Sequence, residues 1–396
     1  MPYVKKLKPK EFTIWKGKDP LLSHIDIELT ERCNNNCIHC CINQPANDKY
    51  SLNREMDTEF IKGILTEAAI LGCLTVRFTG GEPLLRHDFS QLYLFARRLG
   101  LHVILFTNAR LITEKIALLF EQYPPGHVVE VSVYGMSRKS YERVAQHNGA
   151  YSEFLSGVDM LLRHQVPFIV KGLKLPFLNE EQLAFETFAK SIPAMDSIPS
   201  CSMNFDLRSR RDDPAKNASI MKLRSTPEET VAHLTSNPFY LKEMAQFCSR
   251  FIGLAGDKLF SCGAGHGACI DAYGNAQLCL PMRSSETVVN LKEVSLKKAI
   301  TESFPAMREL KATNPDYLRK CAICFLKGLC EQCPAKSWME YGTLDTPVDY
   351  LCDVAHAQAR FLGLLYVGEK AWEVEDWKER VERFVDAQGL NYNPPN

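Results

Sequence analysis

The chain has 396 residues, enough for one large α/β domain and a smaller companion, and its 47 basic and 47 acidic side chains cancel to no net charge. That balance excludes a bulk electrostatic attraction to nucleic acid or to an anionic membrane. With no apolar run of roughly eighteen residues and no signal-peptide core, the reading is a cytoplasmic protein. Its 15 cysteines are then reduced thiols free to bind metal rather than a disulfide framework.

Residues 1–22, with Lys5, Lys6, Lys8, Lys10, Lys16 and Lys18 among scattered aromatics, read as an extension too short to be an independent folded module. Ile25, Ile27 and Leu29 alternate with Asp26 and Glu28, which predicts a first strand leading into Glu31–Cys41. Helical spacing follows over 57–71, with Asp57 or Thr58 as the cap and Gly72 as the stop. Leu74, Val76 and Phe78 alternate as a second strand running into Gly80-Gly81-Glu82-Pro83, after which Asp88 opens a second helix ended by Gly100. The same beat predicts strands over 103–106, 128–133 and 166–173. Helices are expected over 113–122, 138–146 and 151–164, with another capped by Asn179 and ending near 191. A sixth strand is expected over 202–207. Strands alternating with helices mean βαβ units and a parallel sheet, and six units are too few to close a (β/α)8 barrel.

Around Arg208-Ser209-Arg210-Arg211-Asp212-Asp213-Pro214 the periodicity stops. The stretch reads as a loop, either facing an active site or serving as a solvated linker. The expected organisation is therefore an extension (1–22), a region of six βα units (23–225), a helical linker (226–255), a cysteine-dense region (256–360) and a C-terminal helix with a frayed end (361–396).

Cys33, Cys37 and Cys40 stand in a C-x3-C-x2-C arrangement after the first strand. Three thiolates in so short a loop can converge on one metal centre. Iron–sulfur clusters normally take four Cys ligands, so three imply a distant fourth or an iron left open; a zinc loop or unrelated buried cysteines are the alternatives. In Gly80-Gly81-Glu82-Pro83 the two glycines let backbone approach a ligand without a Cβ in the way, Glu82 can accept from an ammonium group, and Pro83 fixes the chain's exit. The Cys triplet followed on the next strand by Gly-Gly-Glu-Pro resembles the signature of the radical S-adenosylmethionine (radical SAM) superfamily.

That resemblance implies an open, TIM-like partial (β/α)6 barrel with its site at the C-terminal strand ends. Cys33, Cys37 and Cys40 would hold a [4Fe–4S] cluster whose open iron takes the amino and carboxylate groups of SAM. His39 occupies the usually aromatic place before the third cysteine, and Gly80, Gly81, Glu82 and Pro83 would hold the methionyl amino group. Thr107 and Asn108 would face the cofactor, with Ala109 standing where relatives commonly have Gly. Ser132 would meet the ribose. Tyr134 stands where many members have Asp, and Ala145 near a common Arg, which leaves the carboxylate-binding cation open; Lys171 is the candidate, or else a barrel-mouth lysine paired with an acid.

Eight further cysteines crowd the C-terminal third, enough for two four-thiolate sites. Their order resembles the SPASM extension, which carries two auxiliary [4Fe–4S] clusters, although the run from Cys321 ends C-x2-C rather than the usual C-x3-C. By that family's interleaved ligation Cys262, Cys269, Cys279 and Cys333 form one site, and Cys321, Cys324, Cys330 and Cys352 the other. Interleaving would tie together a small region with little hydrophobic core. Structural zinc is the alternative for either set. At least three of the remaining Cys41, Cys73, Cys201 and Cys248 read as small buried hydrophobes, with Cys41 adjoining the cysteine loop and given no chemistry.

The resemblance implies an oxidoreductase that cleaves SAM reductively to a 5′-deoxyadenosyl radical, with the auxiliary clusters taking away the substrate's leftover electron. The expected substrate is a ribosomally made peptide or a protein side chain, modified by a thioether or carbon–carbon cross-link. A separate leader-recognition protein is a candidate partner, and a flavodoxin- or ferredoxin-type protein the expected electron donor; no nucleic acid or membrane partner is expected. Oxidation of a small metabolite, such as a sugar alcohol or a tetrapyrrole side chain, is the alternative, and a zinc-stabilised scaffold without activity a distant one.

Overall fold

Segments with apolar residues at every second position pair side by side as parallel strands in chain order: β1 (His24–Thr30), β2 (Thr75–Gly80), β3 (His102–Thr107), β4 (Gly126–Ser132), β5 (Phe168–Leu173) and β6 (Cys201–Ser202). The computed structural model describes residues 22–197, 199–265 and 267–390. The expected N-terminal extension, apart from Leu22, and the frayed end 391–396 lie outside the described residues.

Helices α1 (Thr58–Ile70), α2 (Phe89–Arg98), α3 (Glu114–Gln122), α4 (Arg138–Ala145), α5 (Ala150–Arg163) and α6 (Gln182–Ser191) follow the strands. Because side chains alternate along a strand, Ile25, Ile27, Val76, Phe78, Val129, Val131 and Phe168 go to one face. There they share a fully buried core with helix residues such as Ile61, Leu65, Phe89, Tyr93, Phe120 and Phe154. The opposite face carries Asp26, Glu28, Thr30, Arg77, Thr79, Glu130, Ser132 and Lys171, so the inside of this open barrel is polar. Expected caps are in place at Asp57, which accepts from the Phe60 amide at 2.8 Å, and at Thr113. Asp88 does not cap α2. Its carboxylate is taken by Arg86 and by the Thr58 hydroxyl.

Other expectations are corrected. Asn179 lies inside a 3-10 turn, Pro176–Glu181, and α6 starts only at Gln182. β6 is two residues long instead of six, because Phe205 and Leu207 turn away into a separate apolar cluster with Val144, Leu175, Ile220 and Met339. The stretch after Leu207 is no solvated linker. Arg208 is buried against Asp212 and the Asn43 carbonyl, and Asp213 caps helix α7 (Pro214–Met221).

The sheet also continues past the boundary expected near residue 256. β7 (Ala268–Ile270) pairs parallel with β1 on its open side, and β8 (Asn275–Gln277) and β9 (Val288–Asn290) add to it in antiparallel fashion. This covers the edge that β1 would otherwise expose, and Leu259, Ala268, Ile270, Leu296 and Phe304 join the barrel's own core. The rest of the cysteine-rich region is less poor in core than expected. Helices α8 (Tyr240–Phe251), α9 (Asp349–Phe361) and α10 (Trp377–Ala387) enclose Cys248, Phe325, Leu326, Ala359, Leu364 and Val381. Among the described residues no helix is long and apolar enough to cross a membrane.

Arg86 fastens the segment after Gly-Gly-Glu-Pro to β1. It donates to the Leu29 and Met56 carbonyls and binds Asp88 through two nitrogens, all buried. Removing one partner of a buried charge pair costs about 3–5 kcal/mol, so Arg86→Met should lower the denaturant midpoint by an amount of that order. A loss under about 1 kcal/mol would show the pair to be unimportant to the fold.

Candidate active site

Two loops meet at the C-terminal ends of β1 and β2. Gly81 N donates to the Thr30 carbonyl at 2.7 Å and Glu82 N to the Arg32 carbonyl at 2.9 Å. A Cβ on Gly80 (φ +122°) would stand 2.1 Å from the Thr30 oxygen, and one on Gly81 2.2 Å from the Arg32 oxygen. The glycines thus allow one chain segment to lie on another; the close approach expected toward a ligand is first an approach to the cysteine loop.

Glu82 is fully buried and accepts from the Thr107 hydroxyl (2.8 Å), the Asn108 amide (2.9 Å) and the Leu84 amide (3.2 Å). Burial pushes its pKa up to about 7, against the pull of these hydrogen bonds. The carboxylate is therefore a strut to the end of β3. Asn108 in turn donates to Asn34 Oδ1 at 2.7 Å and approaches the Cys33 sulfur at 3.8 Å. Ala109 adopts φ +63°, the left-handed conformation that explains a glycine in similar chains.

Two supports were not foreseen from sequence. Arg110, buried and paired with Glu153 at 2.6 Å, donates to the Asn34 carbonyl and to Asn35 Oδ1. The last carbonyls of α4, Val144 and Ala145, accept from Ile38 N and Asn36 N at 3.0 and 2.9 Å. The only sequence signal for the first was a charge immediately after a buried strand end.

Within this frame Cys37 is buried and Cys33 and Cys40 half-buried. Burial pushes the Cys33 thiol up to about 12 and raises the Cys37 thiol well above its ordinary value, with the neighbouring cysteines adding to both. Such thiols are protonated at neutral pH unless a metal supplies positive charge, and this donor set suits iron held by three protein sulfurs. Among the described residues no three His, Cys, Asp or Glu side chains are arranged to hold a single ion; a four-iron cube sets its thiolates further apart than one ion does. His39 packs against Phe205 (5.2 Å between ring centres) and Tyr134 (5.9 Å), and burial lowers its pKa to about 4, leaving a neutral imidazole. Ser132 ends β4 level with Lys171 on β5. Lys171 is ion-paired with Glu130 and lies 4.9 Å from the centre of the Phe106 ring.

The C-terminal thiols fall into two groups. Cys279, pushed up to about 12 by burial, feels Cys333 and Cys262, and Cys269 feels Cys279. Cys321, Cys324, Cys330 and Cys352 line one cavity of about 90 Å3 together with Tyr317, His356 and Trp372. His356, unforeseen, sits one turn after Cys352, with Nδ1 2.8 Å from the Cys352 carbonyl and Nε2 accepting from Ala371 N. Arg210 bonds to Glu31 (2.6 Å) and Asp271 (3.0 Å), joining the cysteine loop to the turn between β7 and β8.

A family model described as the radical SAM superfamily matches residues 27–186. Those residues are a radical SAM domain. It is 27% identical over 336 residues to the AdoMet-dependent heme synthase of Methanosarcina barkeri, covering 80% of this chain and 92% of that enzyme. It is 30% identical over 140 residues to the PqqA peptide cyclase of Gluconobacter oxydans, covering 35% and 38% respectively. Solved structures of like fold include anSMEcpe with bound AdoMet (TM-score 0.59, 13% identity, 94% of this chain and 100% of that one). Another is Streptococcus suis SuiB bound to its precursor peptide SuiA (TM-score 0.60, 16% identity, 85% and 76%). These neighbours are of SPASM type. This radical SAM protein is an enzyme, which sets aside the inactive zinc scaffold, and its family brings SAM and a [4Fe–4S] cluster as cofactors.

Two outcomes test this geometry. Gly81→Ala should lower the iron bound per chain and abolish SAM cleavage; full iron and full cleavage would contradict the loop-on-loop packing. Glu82 has its folded pKa raised from 4.5 to about 7, so its contribution is favourable at low pH and is lost as pH rises through about 7. Denaturation of cluster-free protein should show stability falling between these values, by at most about 3 kcal/mol from this group, with a shallower fall in Glu82→Gln. An unchanged slope would place the titration elsewhere.

Proposed function

We propose that this radical SAM enzyme oxidises a ribosomally made peptide or a protein side chain at an unactivated C–H bond, forming a thioether or carbon–carbon cross-link. Cys33, Cys37 and Cys40 hold the SAM-binding cluster, with Gly80, Gly81 and Pro83 beside the methionyl amino group, Glu82 fixing that segment, and Thr107, Asn108, Ser132 and His39 around the cofactor. When bound there, SAM and its cluster supply a 5′-deoxyadenosyl radical that removes a hydrogen atom. Cys262, Cys269, Cys279 and Cys333, and separately Cys321, Cys324, Cys330 and Cys352, hold auxiliary clusters that accept the remaining electron. The residues' own work is to order the cofactor and keep water from the reacting carbon.

The observation that carries the peptide reading is a cleft along the β6 edge. A space of about 1180 Å3 adjoins one of about 460 Å3, and both are lined by Cys201, Leu234 and Met244. Together they exceed the roughly 300–1,000 Å3 of ordinary small-molecule sites and suit an extended chain. Similarity to PqqA peptide cyclases over 35–37% of this chain supports it. One observation favours a second reading, oxidation of a tetrapyrrole side chain: the similarity to the heme synthase runs through the C-terminal region as well.

Anaerobically reconstituted enzyme with SAM and a flavodoxin-type reductant should leave a peptide encoded beside it lighter by two hydrogens. Conversion of iron coproporphyrin III with no mass change in any neighbouring peptide would favour the second reading instead. Iron analysis should give about twelve irons per chain, falling by about four in Cys352→Ala; four irons in the unaltered protein would remove the auxiliary sites.

A further inference from the structure

At the seam between the barrel and the first auxiliary thiol group, three buried polar side chains are left without enough partners. Asp26 is level with Cys269 across β1 and β7, and Cys269 with Gln277 across β7 and β8; Cys269 bonds to Asp26 at 3.3 Å. Gln277 and Glu28, two residues beyond Asp26, therefore look onto the same concave face. Arg283 reaches across and gives Glu28 Oε1 one hydrogen bond, through Nη2.

Glu28 is 1% exposed and Gln277 0%, and the Arg283 side chain 2%. Yet among the described residues Glu28 Oε2, both amide atoms of Gln277, and Arg283 Nε and Nη1 have no hydrogen-bond partner. Buried groups in that state bear their full desolvation cost. No described residue uses them. Their place is telling: the Glu28 Cβ lies 3.4 Å from where a Cβ on Gly80 would stand, and the Arg283 charge is felt by Cys279. They lie between the Gly-Gly-Glu-Pro segment and the first auxiliary thiols.

The free atoms are of both kinds. Arg283 Nε, Arg283 Nη1 and Gln277 Nε2 donate; Gln277 Oε1 and Glu28 Oε2 accept. A carboxylate brings acceptors only, so it would leave both free acceptors facing its oxygens. Glu31 and Asp271 close by add further negative charge that Arg210 only partly offsets. A secondary amide brings one acceptor and one N–H and no charge, and so matches both halves of the set beside a Glu28–Arg283 pair that is neutral as a whole. We propose that Glu28, Gln277 and Arg283 form a seat for an amide group of the substrate, which fixes the neighbouring carbon between the SAM cradle and the first auxiliary site. The seat rests on the peptide reading above and names the group by which a peptide is held.

Full-length enzyme, anaerobically reconstituted and reduced, is titrated with N-methyltrifluoroacetamide and separately with trifluoroacetate, reading fluorine NMR line broadening by the paramagnetic clusters. The amide should broaden saturably and the carboxylate should not. Gln277→Leu should weaken amide binding about tenfold and raise the melting temperature of the ligand-free enzyme, because two unsatisfied atoms are removed. Arg283→Lys, which keeps a cation beside Glu28, should weaken it as well. Equal broadening by trifluoroacetate, no broadening by the amide, or amide binding unchanged in Gln277→Leu overturns the seat. So does a Gln277→Leu variant that melts lower or has an altered reduced-cluster signal, which would show Gln277 to serve the cluster. Neither probe is a peptide and no turnover is read, so failure of neighbouring peptides to react would sink the peptide reading without deciding this one.

Discussion

The rest of the site depends on one close contact, the seating of Gly80-Gly81-Glu82 on the backbone of Thr30–Arg32, where a single added Cβ would overlap a carbonyl oxygen. That contact sets where the cysteine loop leaves β1. Glu82 then passes the position on to β3 through Thr107 and Asn108, and Asn108 and Arg110 pass it back to the loop at Asn34 and Asn35. Three consecutive strand ends and the close of α4 are thereby joined around three thiols, of which Cys33 lies in a two-residue strand, Arg32–Cys33, paired with Gln44–Pro45, and Cys37 and Cys40 bound a turn. A loop held only by its own turns would leave the thiols free to scatter; here its amides and carbonyls are mostly used by neighbours.

The concave face of the sheet is unusual for the amount of charge it buries. Asp26 with Arg77, Glu130 with Lys171, and Glu31 with Arg210 each pair across strands or loops, and the Phe106 ring lies between the Arg77 and Lys171 cations at 4.8 and 4.9 Å. In these pairs the carboxylate is the more buried partner and the cation stays part-exposed; they contribute little net stability because desolvation and solvent screening offset their attraction. Their use is geometric: each side chain has one place to go. A polar lining of fixed shape suits chemistry in which a reactive radical must meet one carbon and nothing else.

Much of this was legible in the sequence. Alternation at Ile25–Leu29 and Leu74–Phe78, and helical spacing between Asp57 and Gly72, read correctly because core-facing periodicity is a local property. The Cys triplet and Gly-Gly-Glu-Pro announced the chemistry since both are short and contiguous. What failed was non-local. Asp88 has the form of a cap but a stronger partner in Arg86. Phe205 and Leu207 look like strand, yet a separate apolar cluster claims them. Arg208 and Arg210 read as solvated because the partners that bury them are distant in sequence: Arg208, besides pairing with Asp212, reaches the Asn43 carbonyl, and Arg210 reaches Glu31 and Asp271. That β7 completes the sheet beside β1 could not be read from three residues, Ala268–Ile270, whose pairing lies far away along the chain.

The claim on which all the chemistry stands is that Cys33, Cys37 and Cys40 hold iron with one coordination position left for SAM. Electron-nuclear double resonance on the reduced enzyme, with SAM labelled in turn at its amino nitrogen and carboxylate carbon, tests it directly. Hyperfine coupling from both labels is expected in the unaltered enzyme and should vanish in Cys37→Ala. Iron-loaded enzyme that shows no coupling from either label, or Cys37→Ala that keeps it, would contradict the assignment.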